Sequence, residues 1–235
     1  MGIGCQEGLK RQELRTTEAS RLVALVYAVV RAVEEYNEDY DPREVRVSLP
    51  RRPSRGEVLV EVEAPGYSLE DYSWELDDGS RIVVAPGRGV ERLSTILRRL
   101  PWEVWRLEGG LLRGLASETS GSGIEYILVY LVDGRAALLE GEEYRVSIPG
   151  LGDAAAAAVH THPSGSCALS RADVLSGLDL MINGGLFEAA ATPECMVYML
   201  RIGLVSEDDY IKLWTSRHGV IPPLSLNTVE VGVVA

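Results

Sequence analysis

Two histidines and an aspartate carry the clearest chemical signal in this sequence. His160 and His162 are separated by one residue, at the end of a run predicted to be a strand. Side chains at positions i and i+2 of a strand share a face, so both imidazoles can reach one metal ion. Asp173 follows eleven residues after His162, in the first turn of a predicted helix, from which its carboxylate can fold back against the imidazoles.

A ligand set of two histidines and one aspartate is typical of a catalytic zinc site. Structural zinc sites fill four positions with protein ligands, whereas this set leaves one tetrahedral position open for water. The sequence therefore predicts zinc at His160, His162 and Asp173. Two plainer interpretations stay open, since Ser170 to Asp173 also matches a helix capping box and a lone His-x-His often binds no metal.

The string that contains these residues resembles the signature of the JAMM (MPN+) zinc metalloprotease family. It reads His160-Thr-His162-Pro-Ser-Gly-Ser-Cys-Ala-Leu-Ser170-Arg-Ala-Asp173 and fills every position of His-x-His-Pro, six residues, Ser-x-x-Asp. The resemblance covers about residues 90–215. It implies that His160, His162 and Asp173 bind zinc, and that Ser170 hydrogen-bonds the oxyanion that forms when a peptide bond is attacked.

The resemblance also implies a glutamate that acts as general base, and two residues compete for this role. Family members commonly have Glu-x-Gly-Gly-x-Leu-x-Gly, and the segment from Glu108 to Gly114 is one residue short of that pattern. Glu103 is the alternative, because Pro101-Trp102-Glu103-Val104 resembles the Pro-x-Glu-Val often found where a helix meets the first strand. We expect Glu108, by a small margin.

The implied fold is α/β, JAMM-like and cytidine-deaminase-like, with a curved mixed β-sheet flanked by helices. Residues 89–235 form this predicted domain, and residues 1–88 form a small α+β domain in front of it. The first domain has a predicted helix up to Tyr36 and strands at 44–49, 57–63 and 81–85. Two roles stay open for it: positioning the substrate, or self-association into a homo-oligomer.

The second domain is predicted to begin after the glycine-rich residues 86–89. Its first helix, 90–100, is expected to end at Pro101 because proline cannot continue the hydrogen-bond ladder. The predicted strands are 110–115, 124–132, 135–139, 144–148, 154–159 and 195–200, and the tail from 222 to 235 could add an edge strand. The predicted helices are 170–182 and 206–214.

Charge and hydropathy exclude several classes of partner. The net charge of −12, from 23 basic and 35 acidic residues, provides no basic surface for nucleic acid or anionic lipid. The longest apolar stretch, 22–33, is interrupted by Arg31 and is shorter than the roughly 20 residues of a membrane span. No secretory signal is recognisable, so a cytoplasmic location is expected.

The cysteines are expected to be free thiols. Cys5, Cys167 and Cys195 are odd in number and form no Cys-x-x-Cys pair, which suits neither a disulfide framework nor a thiolate zinc site. Cys167 lies between the predicted ligands, but thiolate is not part of the resembled site.

The leading function is cleavage of a peptide or isopeptide bond at the C-terminus of a ubiquitin-like modifier, since the JAMM family includes enzymes that remove such modifiers. Ubiquitin-like proteins or their conjugates are thus the expected partners. A RadC-like protein is one alternative, because RadC proteins share the His-x-His-Pro-Ser-Gly opening. Another is a non-catalytic scaffold or ubiquitin-like-binding module. Zinc nucleobase deaminases are excluded, because His-x-Glu and Pro-Cys-x-x-Cys do not occur.

Overall fold

The computed structural model describes residues 11–37, 39–50, 56–143, 154–163, 167–216 and 218–235. In these residues, four helices and thirteen strands form a mixed α/β structure with two mixed sheets. The predicted α/β class is confirmed. The strand predicted at 144–148 lies outside the described residues.

The larger sheet carries the strand that ends in the two histidines. Its eight strands follow the order β1-β8-β7-β9-β10-β11-β13-β12. They are β1 (Arg11–Arg15), β7 (Ile124–Leu131), β8 (Ala136–Glu143), β9 (Ala155–Thr161), β10 (Phe187–Ala191), β11 (Met196–Arg201), β12 (Leu224–Ser225) and β13 (Val229–Val234). The pair β9–β10 is parallel, and the other described pairs of this sheet are antiparallel.

The smaller sheet follows the order β4-β5-β3-β2-β6. Its strands are β2 (Arg46–Ser48), β3 (Glu57–Glu63), β4 (Tyr72–Glu75), β5 (Arg81–Pro86) and β6 (Glu91–Arg92). Along β3, buried valines alternate with exposed residues, so one face of this sheet packs on the core and the other meets solvent.

Helices cover both faces of the larger sheet. They are α1 (Glu18–Glu34), α2 (Leu93–Ser122), α3 (Arg171–Ile182) and α4 (Glu207–Thr215). The even-numbered residues of β7, among them Leu128 and Tyr130, pack with α1 and α2 in one core. The odd-numbered residues Ile127 and Val129 face the opposite side, where Leu180 of α3 packs against them. A parallel strand pair needs a crossover connection, and α3 is the crossover between β9 and β10.

Two predictions about α2 are wrong. The helix does not end at Pro101, and residues 110–115 are helical instead of forming a strand. Proline removes one backbone hydrogen bond, at a cost of about 3 kcal/mol in a helix interior. Here the residues on both sides of Pro101 bury their side chains at helical spacing, including Leu97, Leu100, Val104 and Leu112. This packing outweighs the cost, and α2 continues to Gly123, whose φ of 74° ends it.

The first 88 residues contribute to both sheets. β1 pairs with β8 at the edge of the larger sheet, and α1 packs against β7 and β9. Strands β2 to β5 build the smaller sheet together with β6. The division of the chain after residue 88 stays a prediction.

Among the described residues, no helix combines the length and the apolar character that a membrane span requires.

Candidate metal centre

His160, His162 and Asp173 converge on one point. The Nε2 atoms of the two histidines lie 3.1 Å apart. Asp173 Oδ1 lies 3.1 Å from His160 Nε2, and Asp173 Oδ2 lies 3.2 Å from His162 Nε2. The three predicted ligand side chains thus form a triangle of close contacts, in which each histidine faces a different oxygen of Asp173, and the group could hold a metal ion.

The size of this triangle fits a tetrahedral metal. Ligand atoms about 2.0–2.1 Å from a tetrahedral ion are about 3.3 Å from one another. The observed separations of 3.1–3.2 Å are close to that value. His160 is 6% exposed, whereas His162 and Asp173 are only partly buried, so one side of the triangle is partly accessible to solvent.

The strand β9 and the helix α3 bring the ligands together. His160 lies in β9, and the backbone N–H of His162 donates to Ala191 O of β10. Asp173 is the third residue of α3 and is held by a capping box with Ser170. The Ser170 N–H donates to Asp173 Oδ2 at 2.6 Å, and the Asp173 N–H donates to Ser170 Oγ at 3.2 Å. Asp173 therefore belongs to the capping box and to the ligand cluster at the same time, and the box orients its carboxylate toward the histidines.

The ligands influence each other's protonation. Burial lowers the pKa of His160, but the hydrogen bond and charge of Asp173, with smaller contributions from Glu188 and Glu125, outweigh burial and raise it. Burial alone would raise the pKa of Asp173, but hydrogen bonds from both histidines hold it well below its ordinary value. Asp173 is therefore ionised at neutral pH, as a metal ligand must be.

A glutamate that was not predicted lies beside the cluster. Glu125 is the second residue of β7 and is half-buried. Burial raises its pKa, the charges of His160 and His162 lower it, and Asp173 raises it. The β7–β9 register pairs Ile127 with His160, so these two residues share a face of the sheet. Glu125 lies two residues before Ile127 on β7, and alternate residues of a strand share a face, so Glu125 is on the side of the ligands whose charges act on its pKa.

The structure does not bring the two predicted general bases to this cluster. Glu108 lies in α2 with its carboxylate 3.4 Å from Arg15, and its charge raises the pKa of the buried Tyr130. Tyr130 packs with α1 and α2, on the face of the sheet opposite to His160. Glu103 also lies in α2, with Arg106 at 2.8 Å and Arg99 at 3.9 Å. Glu108 and Glu103 as general base thus stay predictions, and neither carboxylate is among the groups that the structure brings to the cluster.

The length of α2 accounts for the positions of Glu108 and Glu103. Both predicted assignments required a junction between a helix and a strand near residues 103–110, but this segment is in the middle of α2. The junction falls at Gly123, directly before β7, and Glu125 is the first acidic residue after it. The sequence signal for Glu125 was its position. It is a glutamate at the start of a predicted strand that leads into a buried core.

A second carboxylate lies behind His160. Glu188 of β10 is 5% exposed, and its Oε1 lies 3.7 Å from His160 Nδ1. Burial raises the pKa of Glu188 to about 7, although His160 and a hydrogen bond from Ser176 act in the opposite direction.

The expectation of free thiols is wrong for two cysteines. Cys167 and Cys195 form a disulfide, with their Cα atoms 6.3 Å apart, a separation within the usual range for such bonds. An odd cysteine count does not reveal which pair the fold brings together. The bond connects the chain between His162 and Ser170 to the turn between β10 and β11. Cys5 lies outside the described residues.

Comparisons with known proteins add no assignment. No model of a known protein family matches the chain, and no curated protein matches it.

Proposed function

We propose that this chain is a zinc-dependent hydrolase of the JAMM type. The observation that carries the proposal is the convergence of His160, His162 and Asp173, whose closest N···N and N···O separations are 3.1–3.2 Å. Glu125 on the same face supplies a candidate general base. A metal site that only stabilises the fold would require a fourth protein ligand, and the described metal-binding group contains three.

We propose zinc as the metal, because residues 160–173 resemble the signature of a zinc-dependent family. Imidazole nitrogen suits zinc, copper, iron and nickel, whereas calcium and magnesium take oxygen ligands. Two imidazoles and one carboxylate at tetrahedral spacing match the three-ligand sites of zinc hydrolases.

The protein groups have separate tasks in the proposed reaction. Bound zinc would supply a Lewis acid that polarises a carbonyl and lowers the pKa of water. Glu125 accepts the proton of the attacking water and returns it to the leaving amine. The Ser170 hydroxyl already accepts the Asp173 N–H, and its own hydrogen is available to donate to the developing oxyanion on the substrate. The Ser170–Asp173 box keeps both side chains at the same end of α3.

The proposed substrate is a peptide or isopeptide bond at the C-terminus of a ubiquitin-like modifier. The support for this class is the resemblance of residues 160–173 to the JAMM signature. The amide bond fits the proposed groups, because its cleavage needs proton transfer to a poor leaving amine and stabilisation of an oxyanion.

The test is a cleavage assay with the purified, zinc-loaded chain. Ubiquitin-like modifiers joined through their C-termini to a lysine side chain are incubated beside unrelated peptides, with and without a chelator. We expect chelator-sensitive release of intact modifier, and its loss in Glu125→Gln but not in Glu108→Gln. Zinc-dependent hydrolysis of other amides alone would change the substrate class. Release that continues in Glu125→Gln would contradict the assigned general base.

A further inference from the structure

The two ring nitrogens of His160 face two different carboxylates. Its Nε2 lies 3.1 Å from Asp173 Oδ1, in the ligand triangle, and its Nδ1 lies 3.7 Å from Glu188 Oε1, behind the triangle. His160 and Glu188 are 6% and 5% exposed, so this contact is shielded from water. The ring therefore lies between Asp173, which belongs to the ligand set, and Glu188, which does not.

The sheet and α3 build a specific place for Glu188. β10 runs parallel to β9, with Glu188 paired to Ala158 and Ala190 paired to His160. Because alternate residues share a face, Glu188 projects on the same side as His160. α3 covers this side with Gly177, where a Cβ atom would lie 3.4 Å from Glu188 Cβ and would collide with Met199. The glycine lets the helix approach while leaving room for the buried acid.

Glu188 differs from the other buried glutamates in its partners. Glu34 pairs with Arg201 and Glu108 pairs with Arg15, so a guanidinium compensates each of those charges. The described ion-pair partner of Glu188 is His160, and Ser176 hydrogen-bonds it. A buried carboxylate is costly unless it accepts hydrogen bonds, and the imidazole N–H is the donor placed to supply one.

We infer that Glu188 is a positioning residue for the metal centre, accepting the Nδ1 hydrogen of His160 so that Nε2 presents its lone pair to the ion. A neutral imidazole carries one hydrogen, and an acceptor at Nδ1 selects the tautomer that binds metal through Nε2. The observed separation exceeds an N–H···O hydrogen bond by about 0.5 Å, so the proposed role requires the carboxylate and the ring to approach by that distance when the ion binds. This role rests on the proposed zinc site.

The experiment measures zinc affinity and the state of the imidazole. The dissociation constant for zinc is determined by competition with a chromophoric chelator for the natural chain, Glu188→Leu and Glu188→Gln. Glu108→Gln is the matched control, a buried glutamate of α2, which covers the opposite face of the same sheet. Loss of an outer-shell acceptor typically weakens metal binding about 10- to 100-fold, which is the expected effect of Glu188→Leu. Glu188→Gln keeps an acceptor oxygen and should lose less, and Glu108→Gln should match the natural chain.

A second readout separates positioning from general stability. In zinc-loaded, nitrogen-15-labelled protein, the His160 Nδ1 hydrogen should resonate downfield and exchange slowly with water. The shift should decrease in Glu188→Gln and disappear in Glu188→Leu. If Glu188→Leu does not fold, the Gln variant decides. An unchanged zinc affinity together with an unchanged Nδ1 resonance in a folded variant overturns the positioning role alone. Failure of the natural chain to bind zinc overturns the proposed function and this role with it.

Discussion

The buried acids on the two sides of the larger sheet have different partners. On the side covered by α1 and α2, Glu108 faces Arg15, and Glu34 at the end of α1 faces Arg201. On the side covered by α3, the carboxylates of Asp173 and Glu188 face imidazoles. A guanidinium is always charged and cannot ligate a metal, whereas a neutral imidazole can. The first side is thus suited to holding helices in place, and the second to holding an ion.

This difference shows that a glutamate's role depends on the face of the sheet that it occupies. Glu108 lies in a segment that nearly matches a catalytic pattern, but α2 turns it toward Arg15 and away from the histidines. Glu125 carries no recognised pattern, but the register of β7 against β9 places it on the histidine side. Substitutions on the two sides should therefore have opposite consequences: loss of chemistry on one, loss of stability on the other.

The largest expected effect comes from the paired variants Glu125→Gln and Glu108→Gln. Removal of a general base typically lowers turnover about 100- to 10,000-fold. We expect this loss in Glu125→Gln with zinc still bound, because a glutamine side chain keeps the size of the glutamate but cannot accept the proton. Glu108→Gln should keep its turnover. Both are measured as kcat on a cleavable amide substrate, with the zinc content checked in parallel.

The opposite result for turnover would contradict the assigned difference between the two sides of the sheet. If Glu108→Gln alone lost turnover while it remained folded, the assignment of chemistry to the α3 side would be incorrect.

Glu34→Ala should affect stability and leave the metal in place. Arg201 is 2% exposed and also donates to the carbonyl oxygens of Gly184 and Gly185. Removing one partner of a buried ion pair typically costs about 3–5 kcal/mol, because the remaining charge is left uncompensated. Denaturant unfolding should show a loss of this size, and the folded variant should bind zinc like the natural chain. Loss of zinc at full stability would contradict the structural role of this pair.

The smallest expected effects concern the N-terminal caps of α1 and α3, which lie on opposite sides of the larger sheet. α1 begins with a capping box of Thr17 and Ser20, and α3 begins with one of Ser170 and Asp173. Replacing either cap by alanine should cost about 0.5–2 kcal/mol of stability. Thr17→Ala should leave zinc affinity unchanged, whereas Ser170→Ala should also weaken zinc binding, because Asp173 loses the partner that aims it.

The two cap variants are compared by thermal unfolding and by zinc titration. Equal zinc affinity in both would mean that the Ser170–Asp173 box serves only the helix, the plainer of the two interpretations of that pattern.

Much of the fold was predictable, because segments with a strong hydrophobic periodicity indicate whether they form a helix or a strand. In the strand at 57–63, buried valines alternate with more exposed residues, most of them glutamates, and β3 occupies those residues. The helices α1, α3 and α4 and the strands β5, β7 and β9 also lie close to their predicted positions. The spacing of His160, His162 and Asp173 was sufficient to predict the triangle, since a strand end and a helix start bring the three together.

The missed elements depend on tertiary contacts. β10 has the sequence Phe-Glu-Ala-Ala-Ala, which favours helix locally, and its strand conformation comes from pairing with β9 and β11. β7 is buried on both faces, so no polar alternation reveals which of its residues face the histidines. The sequence shows Glu125 at the start of a predicted strand, but the register between β7 and β9 was needed to assign its face.

The metal centre is tested most simply by the zinc content of the purified chain, measured by elemental analysis after removal of loosely bound metal. We expect one zinc ion per natural chain, close to none in His160→Ala and Asp173→Ala, and one in His218→Ala, which removes the histidine outside the cluster. All four proteins should remain folded, since the ligands lie at the C-terminal end of β9 and at the start of α3. A natural chain without zinc, or full occupancy in Asp173→Ala, would contradict the metal centre.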